Sequence, residues 1–161
     1  MTHLSKLTWV PCEEGMMNAL GRVLSAWSGS SWMKEERNRG VHADCVNLAA
    51  GIYEDMLGLK LKSVTIPELP RGYGRKTERG AGLVVRAWIK GFEQTRVRVK
   101  EIQAGDNVIS TSNEQTNGPG HLIVASDRPG LFFDVRANRT ADYFFPVGGI
   151  KVMRVYRPNK Q

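Results

Sequence analysis

The hydrophobic period of this chain changes once, near residue 96, and no other feature limits its fold so strongly. Before that point apolar residues recur with helical spacing; after it they form short blocks with a period of two. Residues 14–28 carry Met16, Met17, Leu20, Val23, Leu24 and Trp27 at i, i+3, i+4 and i+7 positions, closed by Ser28-Gly29. Residues 45–57 repeat the pattern with Cys45, Leu48, Ala49, Ile52, Tyr53 and Met56, and Gly58 ends the run. Asp44 stands directly before this second stretch, as an N-cap residue does. The Pro-, Gly- and Arg-rich stretch 67–82 reads as loop, and a shorter helix is expected over 83–92. Further on, strands are expected at 107–110, 121–126, 131–136, 142–145 and 150–156, separated by turn sequences such as Asp127-Arg128-Pro129-Gly130. Helices first and a meandering antiparallel sheet second make an α+β fold.

A chain of 161 residues can bury a real core, and without repeats or a long linker it reads as one domain over 1–161. No apolar run approaches the roughly 18 residues of a membrane-spanning helix. The first dozen residues lack the apolar stretch and cleavage site of a secretory signal, which predicts synthesis and initial retention in the cytoplasm. Cys12 and Cys45 would then stay reduced, and with no CxxC or HxxxH spacing no metal site is expected. The net charge of +7 suits polyanionic partners, among them nucleic acid, anionic membranes and the bacterial wall. Its modest clusters, at 71–79 and 96–100, read equally well as solvated surface. They hold no recognised nucleic-acid-binding motif, so neither a nucleic-acid partner nor membrane insertion is expected.

Three residues carry candidate chemistry. Cys45 opens a helix, where unpaired N–H groups and the positive end of the dipole favour a thiolate; its other reading is a small buried residue beginning an apolar stripe. His121 opens a strand after a Gly-Pro-Gly turn, which can hold its ring at the end of the sheet beside a helix start. It reads otherwise as an ordinary strand-edge histidine. Of the remaining histidines, His3 falls in a stretch read as a loose terminus and His42 in the loop feeding the second helix. Asp134 lies among apolar residues in the strand after that of His121, within hairpin reach. It can accept the imidazole N–H and fix the tautomer, or instead pair with Arg136. Together the three supply the nucleophile, base and orienter of acyl transfer.

At this point the residues resemble a known family. Ala26-Trp-Ser-Gly-Ser-Ser-Trp32, followed by Arg37-Asn-Arg-Gly-Val-His-Ala-Asp-Cys45-Val-Asn-Leu48, is similar to the catalytic segment of NlpC-type cell-wall peptidases, above all those of phage tails and gene-transfer agents. Gln103-Ala-Gly-Asp106 resembles the family's Pro-Gly-Asp strand start, and Gly118-Pro-Gly-His121-Leu-Ile-Val its Gly-His strand. Gly130-Leu-Phe-Phe-Asp134 falls where a third catalytic residue stands, and Leu69-Pro-Arg-Gly-Tyr73 resembles a proline- and tyrosine-containing loop of the phage-type members. The likeness runs through most of residues 20–155 in the same order.

This resemblance implies a papain-like NlpC-type fold and a cofactor-free cysteine peptidase acting on peptidoglycan stem peptides. Cys45, His121 and Asp134 would be catalytic, with Trp32, Asp44 and Tyr73 near substrate. The partners implied are the wall peptide and phage tail proteins, and the location a virion. Three positions depart from the family pattern. Asp134 stands where a histidine is usual, Trp32 where a tyrosine or phenylalanine is, and Ile123 where a small residue is. The departures point to altered specificity. Two other functions fit the same residues: a non-catalytic wall-binding or tail component, and an acyltransferase or deamidase on this fold. The order Cys before His suits the peptidases better than their permuted, lipid-acting relatives.

Overall fold

The computed structural model describes residues 2–33, 36–57, 94–97, 100–111, 119–136, 139–146 and 149–158. Both helices sit where the period placed them, α1 at Glu14–Trp27 and α2 at Cys45–Leu57. On α1, Leu20, Leu24 and Trp27 form the buried stripe. The helix stops at Ser28, whose N–H still bonds Leu24 O, and at Gly29, which takes a left-handed φ of 83°.

The strands are β1 (Thr2–His3), β2 (Thr8–Trp9), β3 (Ser31–Trp32), β4 (Arg37–Asn38), β5 (His42–Ala43), β6 (Gln94–Val97), β7 (Glu101–Ile102), β8 (Asn107–Thr111), β9 (Pro119–Ala125), β10 (Phe132–Asp134), β11 (Asp142–Phe144) and β12 (Lys151–Pro158). Among the described residues the main sheet is antiparallel and ordered β1-β12-β8-β9-β10-β11, with β6 also on β12. The expected meander holds from β8 to β11, but the last strand crosses back to pair with β8. His3 corrects the expectation of a loose terminus: it pairs with Lys151, and the N–H of Leu4 bonds Ile150 O at 2.9 Å. His42 likewise lies in a short strand, not in free loop. Two-residue strands carry no period, so the sequence held no sign of either. The helix expected at 83–92, the loop at 67–82 and Tyr73 lie outside the described residues.

Alternation along the central strands divides the core between the two sheet faces. Ile109, Leu122, Val124 and Phe133 pack with Leu20, Leu24, Trp27, Leu48 and Ile52 of the helices. Val108, Ile123, Ala125 and Phe132 pack with Leu4, Leu7, Val152 and Val155. Burial on both faces explains why β8 and β10 show no exposed positions. A half-buried ion pair joins the start of β8 to the end of β12: Arg157 donates to both carboxylate oxygens of the buried Asp106, each at 2.9 Å. Gly105 at φ 88° lets its N–H reach Ala125 O while Asp106 O accepts from Ala125, so the Gly-Asp pair serves as a structural corner.

The helices approach closely at Gly51. A Cβ there would lie 2.1 Å from Trp27 Cζ2, well inside contact distance. An alanine in a helix is ordinarily better than glycine by about 0.5–1 kcal/mol. Here Gly51→Ala is expected to destabilise instead, by about 1–3 kcal/mol as overpacking does. Urea unfolding reads the sign; a gain in stability would mean that Trp27 moves aside freely.

Candidate active site

Asp44 decides where α2 begins. Its Oδ1 accepts the Asn47 N–H at 2.8 Å and the Asn47 side-chain amide at 2.9 Å, and its carbonyl accepts the first helical bond from Leu48. Cys45 is thereby fixed as the first helical residue, with the orphan N–H groups of the first turn around it. Asp44 itself is buried, at 4% exposure, and its carboxylate is engaged in the cap.

The loop before Cys45 is held on two sides. On one, β5 pairs in parallel with β3, setting Ala43 opposite Trp32, and antiparallel with β4. On the other, Arg37 pairs with Glu54 at 2.6 Å. Arg39 binds both oxygens of Asp55, whose Oδ2 also accepts the Trp27 indole N–H at 2.8 Å. Arg37 and Arg39 of this loop are therefore committed to acids of α2. Nothing in the sequence pattern marks Asp55 as its partner.

His121 and Asp134 come from adjacent strands. β9 and β10 pair with Phe132 opposite Ala125 and Phe133 opposite Val124, and continuing that register sets Asp134 diagonal to His121. The diagonal is bridged by a hydrogen bond of 2.7 Å between His121 Nε2 and Asp134 Oδ2. Cys45 also lies close enough to His121 to act on its charge, and with Nε2 engaged the nitrogen left to face the sulfur is Nδ1. The structure thus brings the three sequence-derived catalytic candidates together. Cys45 and His121 are both partly exposed. The alternative drawn for Asp134 is present as well, because Arg136 Nε donates to the same oxygen at 2.8 Å.

The charges follow from these contacts. Burial disfavours a charged His121, but the bond to Asp134 and the nearby Cys45 outweigh it and raise its pKa to about 9. Burial likewise opposes an ionised Asp134, yet the bonds from His121 and then Arg136 hold its carboxyl below the usual range. An ionised Asp134 accepts, so Nε2 carries the proton toward it.

Trp32 stands 37% exposed on β3, and its N–H bonds Arg139 O at 3.0 Å. With Ala43 opposite, it stands on the strand beside the one that leads into Cys45. Among the described residues no cluster of His, Cys, Asp and Glu is arranged to hold a metal ion. Cys12 is a second free thiol, set apart against Met16 and Gln103.

The fold is similar to that of a Staphylococcus aureus protein described as similar to a lipoprotein of the NLP/P60 family, with a TM-score of 0.56 and 11% sequence identity. The match takes in 94% of this chain and 44% of the other, so this chain spans less than half of that protein's length. At such identity the likeness is one of fold. No protein-family model matches the sequence, and no curated protein matches it.

The raised pKa of His121 gives the site a pH signature. A group favoured in its charged form by folding contributes fully below its ordinary value of 6.5 and loses that contribution as pH rises through about 9. Denaturant midpoints of the wild type should therefore fall across that window, and His121→Gln should flatten the fall. An equal fall in the variant would place its origin elsewhere.

Proposed function

We propose that the chain is a papain-like cysteine hydrolase of the NlpC type, acting as one domain on amide bonds in peptidoglycan stem peptides. The observation that carries the reading is the joined set of Cys45 at a helix start, His121 on a strand and Asp134 diagonal to it. The structural likeness to an NLP/P60-family relative supports it from the side of the fold. The sequence likeness to phage-tail members adds a setting, a tail component delivered to the wall with the virion.

In this mechanism His121 takes the proton of the Cys45 thiol, and the sulfur attacks the amide carbonyl carbon and forms a C–S bond. First-turn N–H groups of α2, those of Cys45 and Val46 among them, receive the developing oxyanion, while the Asp44 carboxylate holds the N–H of Asn47. His121 delivers its proton to the amine nitrogen, the C–N bond breaks, and the amine leaves. Water then attacks the thioester carbonyl, giving its proton to His121, and the thiol departs as the free acid forms. Asp134 keeps Nε2 occupied throughout, so Nδ1 is the atom that exchanges protons. No cofactor enters any step. The indole of Trp32 flanks the peptide, and Asp44 serves by fixing the start of α2. Tyr73 is carried as a substrate contact from the sequence likeness alone.

The test pairs thiol chemistry with product analysis. Iodoacetamide should label Cys45 rapidly near neutral pH and much more slowly in His121→Ala, with the site located by mass spectrometry. Digestion of purified peptidoglycan should release peptide fragments, with rates falling roughly 10²–10⁴-fold in His121→Ala and to background in Cys45→Ala. Unchanged fragments from Cys45→Ala, or a Cys45 no more reactive than Cys12, would end the hydrolase reading.

A further inference from the structure

Asp134 Oδ2 accepts two hydrogen bonds, and one of them comes from outside the triad. Arg136 follows Asp134 by two residues, just past the end of β10, and sends Nε to the oxygen that His121 holds. Its guanidinium also lies over the Phe144 ring, 5.0 Å from the centroid. The side chain is 39% exposed while that of Asp134 is 8% exposed, so one end of the contact is buried and the other opens on a groove with Arg139, Asp142 and Phe145. We propose that Arg136 is a positioning residue for the site, pinning the carboxylate oxygen that orients His121 and offsetting part of its charge. The inference rests on the cysteine-hydrolase reading for its catalytic consequence, though not for its electrostatic one.

The physical argument starts from what a buried carboxylate does to an imidazole unaided. It stabilises the imidazolium, and an imidazolium held too firmly is a poor acid toward the leaving amine. It also returns slowly to the neutral form that must accept a proton from water. A guanidinium stays charged at every working pH, so on the same oxygen it draws on the charge that holds the imidazolium. Two donors on one oxygen also restrict rotation of the carboxylate at a strand end. The charged and titratable groups around the pair are Cys45 from α2, Asp142 opposite Asp134 on β11, and Arg136 and Arg139 on the groove side. Of these, Arg136 is the one hydrogen-bonded to the Asp134 carboxylate beside His121. Burial and the bonds from His121 and Arg136 set the acidity of Asp134 in that order, which agrees with the geometry.

Removing the guanidinium charge takes a positive neighbour away from His121, so its imidazolium becomes more favoured and its titration moves up in pH. The experiment follows the His121 ring resonances by NMR across pH in the full chain, for wild type, Arg136→Gln and Arg136→Lys. Arg136→Gln should raise the midpoint and lower kcat on stem peptides on the order of tenfold with KM little changed. Arg136→Lys should restore most of the midpoint, since the charge returns without the planar fork. Arg136→Met, which keeps an apolar stem over Phe144, serves as a second charge-free variant should the glutamine form fold poorly. Phe144→Leu removes the ring beneath the guanidinium and should leave the midpoint in place. A midpoint unmoved or lowered in the charge-free variants, with only thermal stability changed, would reduce Arg136 to a packing residue and overturn the proposal. A wild type inert toward peptidoglycan would overturn the hydrolase reading instead, and the NMR midpoints would still decide the role of Arg136.

Discussion

The buried cap that Asp44 places on α2 is the contact on which the site's geometry turns. Two bonds from Asn47 to one carboxylate oxygen, with Leu48 bonded to the Asp44 carbonyl, leave one residue at which the helix can begin. A start one residue earlier or later would rotate Cys45 by about 100° around the helix axis, away from His121. The cap alone sets the rotation; the height and tilt of α2 come from its packing. Trp27 lies on Gly51, and Leu48 and Ile52 lie among the buried residues of the sheet. The position of the sulfur is thus determined by a polar contact at one end and by close packing in the middle.

Polar contacts elsewhere serve the same end, tying irregular backbone to the two layers. The turn after α1 and the segment between β10 and β11 share bonds from Gly29 to Ala141 O, from Ala141 to Ser30 O and from Trp32 to Arg139 O. That segment carries the chain away from Asp134, so the wall beside Cys45 and the strand of Asp134 are linked by backbone. Four arginines take part in such work. Arg37 and Arg39 bind Glu54 and Asp55, Arg136 binds Asp134, and Arg157 binds Asp106. Each of these pairs cancels within the chain and leaves the net charge of +7 unchanged, so the excess positive charge is carried by other basic residues.

What was legible in the sequence was whatever repeats or stands at a helix end. The stripe of Leu20, Leu24 and Trp27 placed α1, and Asp44-Cys45 before an apolar stripe placed α2 with its cap. Alternation and turn residues placed β8 to β12 closely enough to set His121 and Asp134 on neighbouring strands. The diagonal register that joins them, and the contact of His121 with Cys45, depend on how the sheet twists beneath a helix, which no local pattern encodes. The two-residue strands were illegible for the plainer reason that a period cannot show in so short a piece. Arg136 was visible as a neighbour of Asp134, but as a rival to His121. That both bond the same oxygen is a matter of rotamers and burial, settled only in three dimensions.

The thiol and its two partners are carried by different halves of the chain, Cys45 on a helix and His121 and Asp134 on strands that follow much later. A ribosome therefore delivers the sulfur long before it delivers either of the side chains gathered beside it. Until β9 and β10 have emerged and paired, the nascent polypeptide holds an ordinary cysteine at the head of a half-built helix. The order of synthesis thus makes the assembly of these three side chains a late event, one that waits for the pairing of β9 with β10.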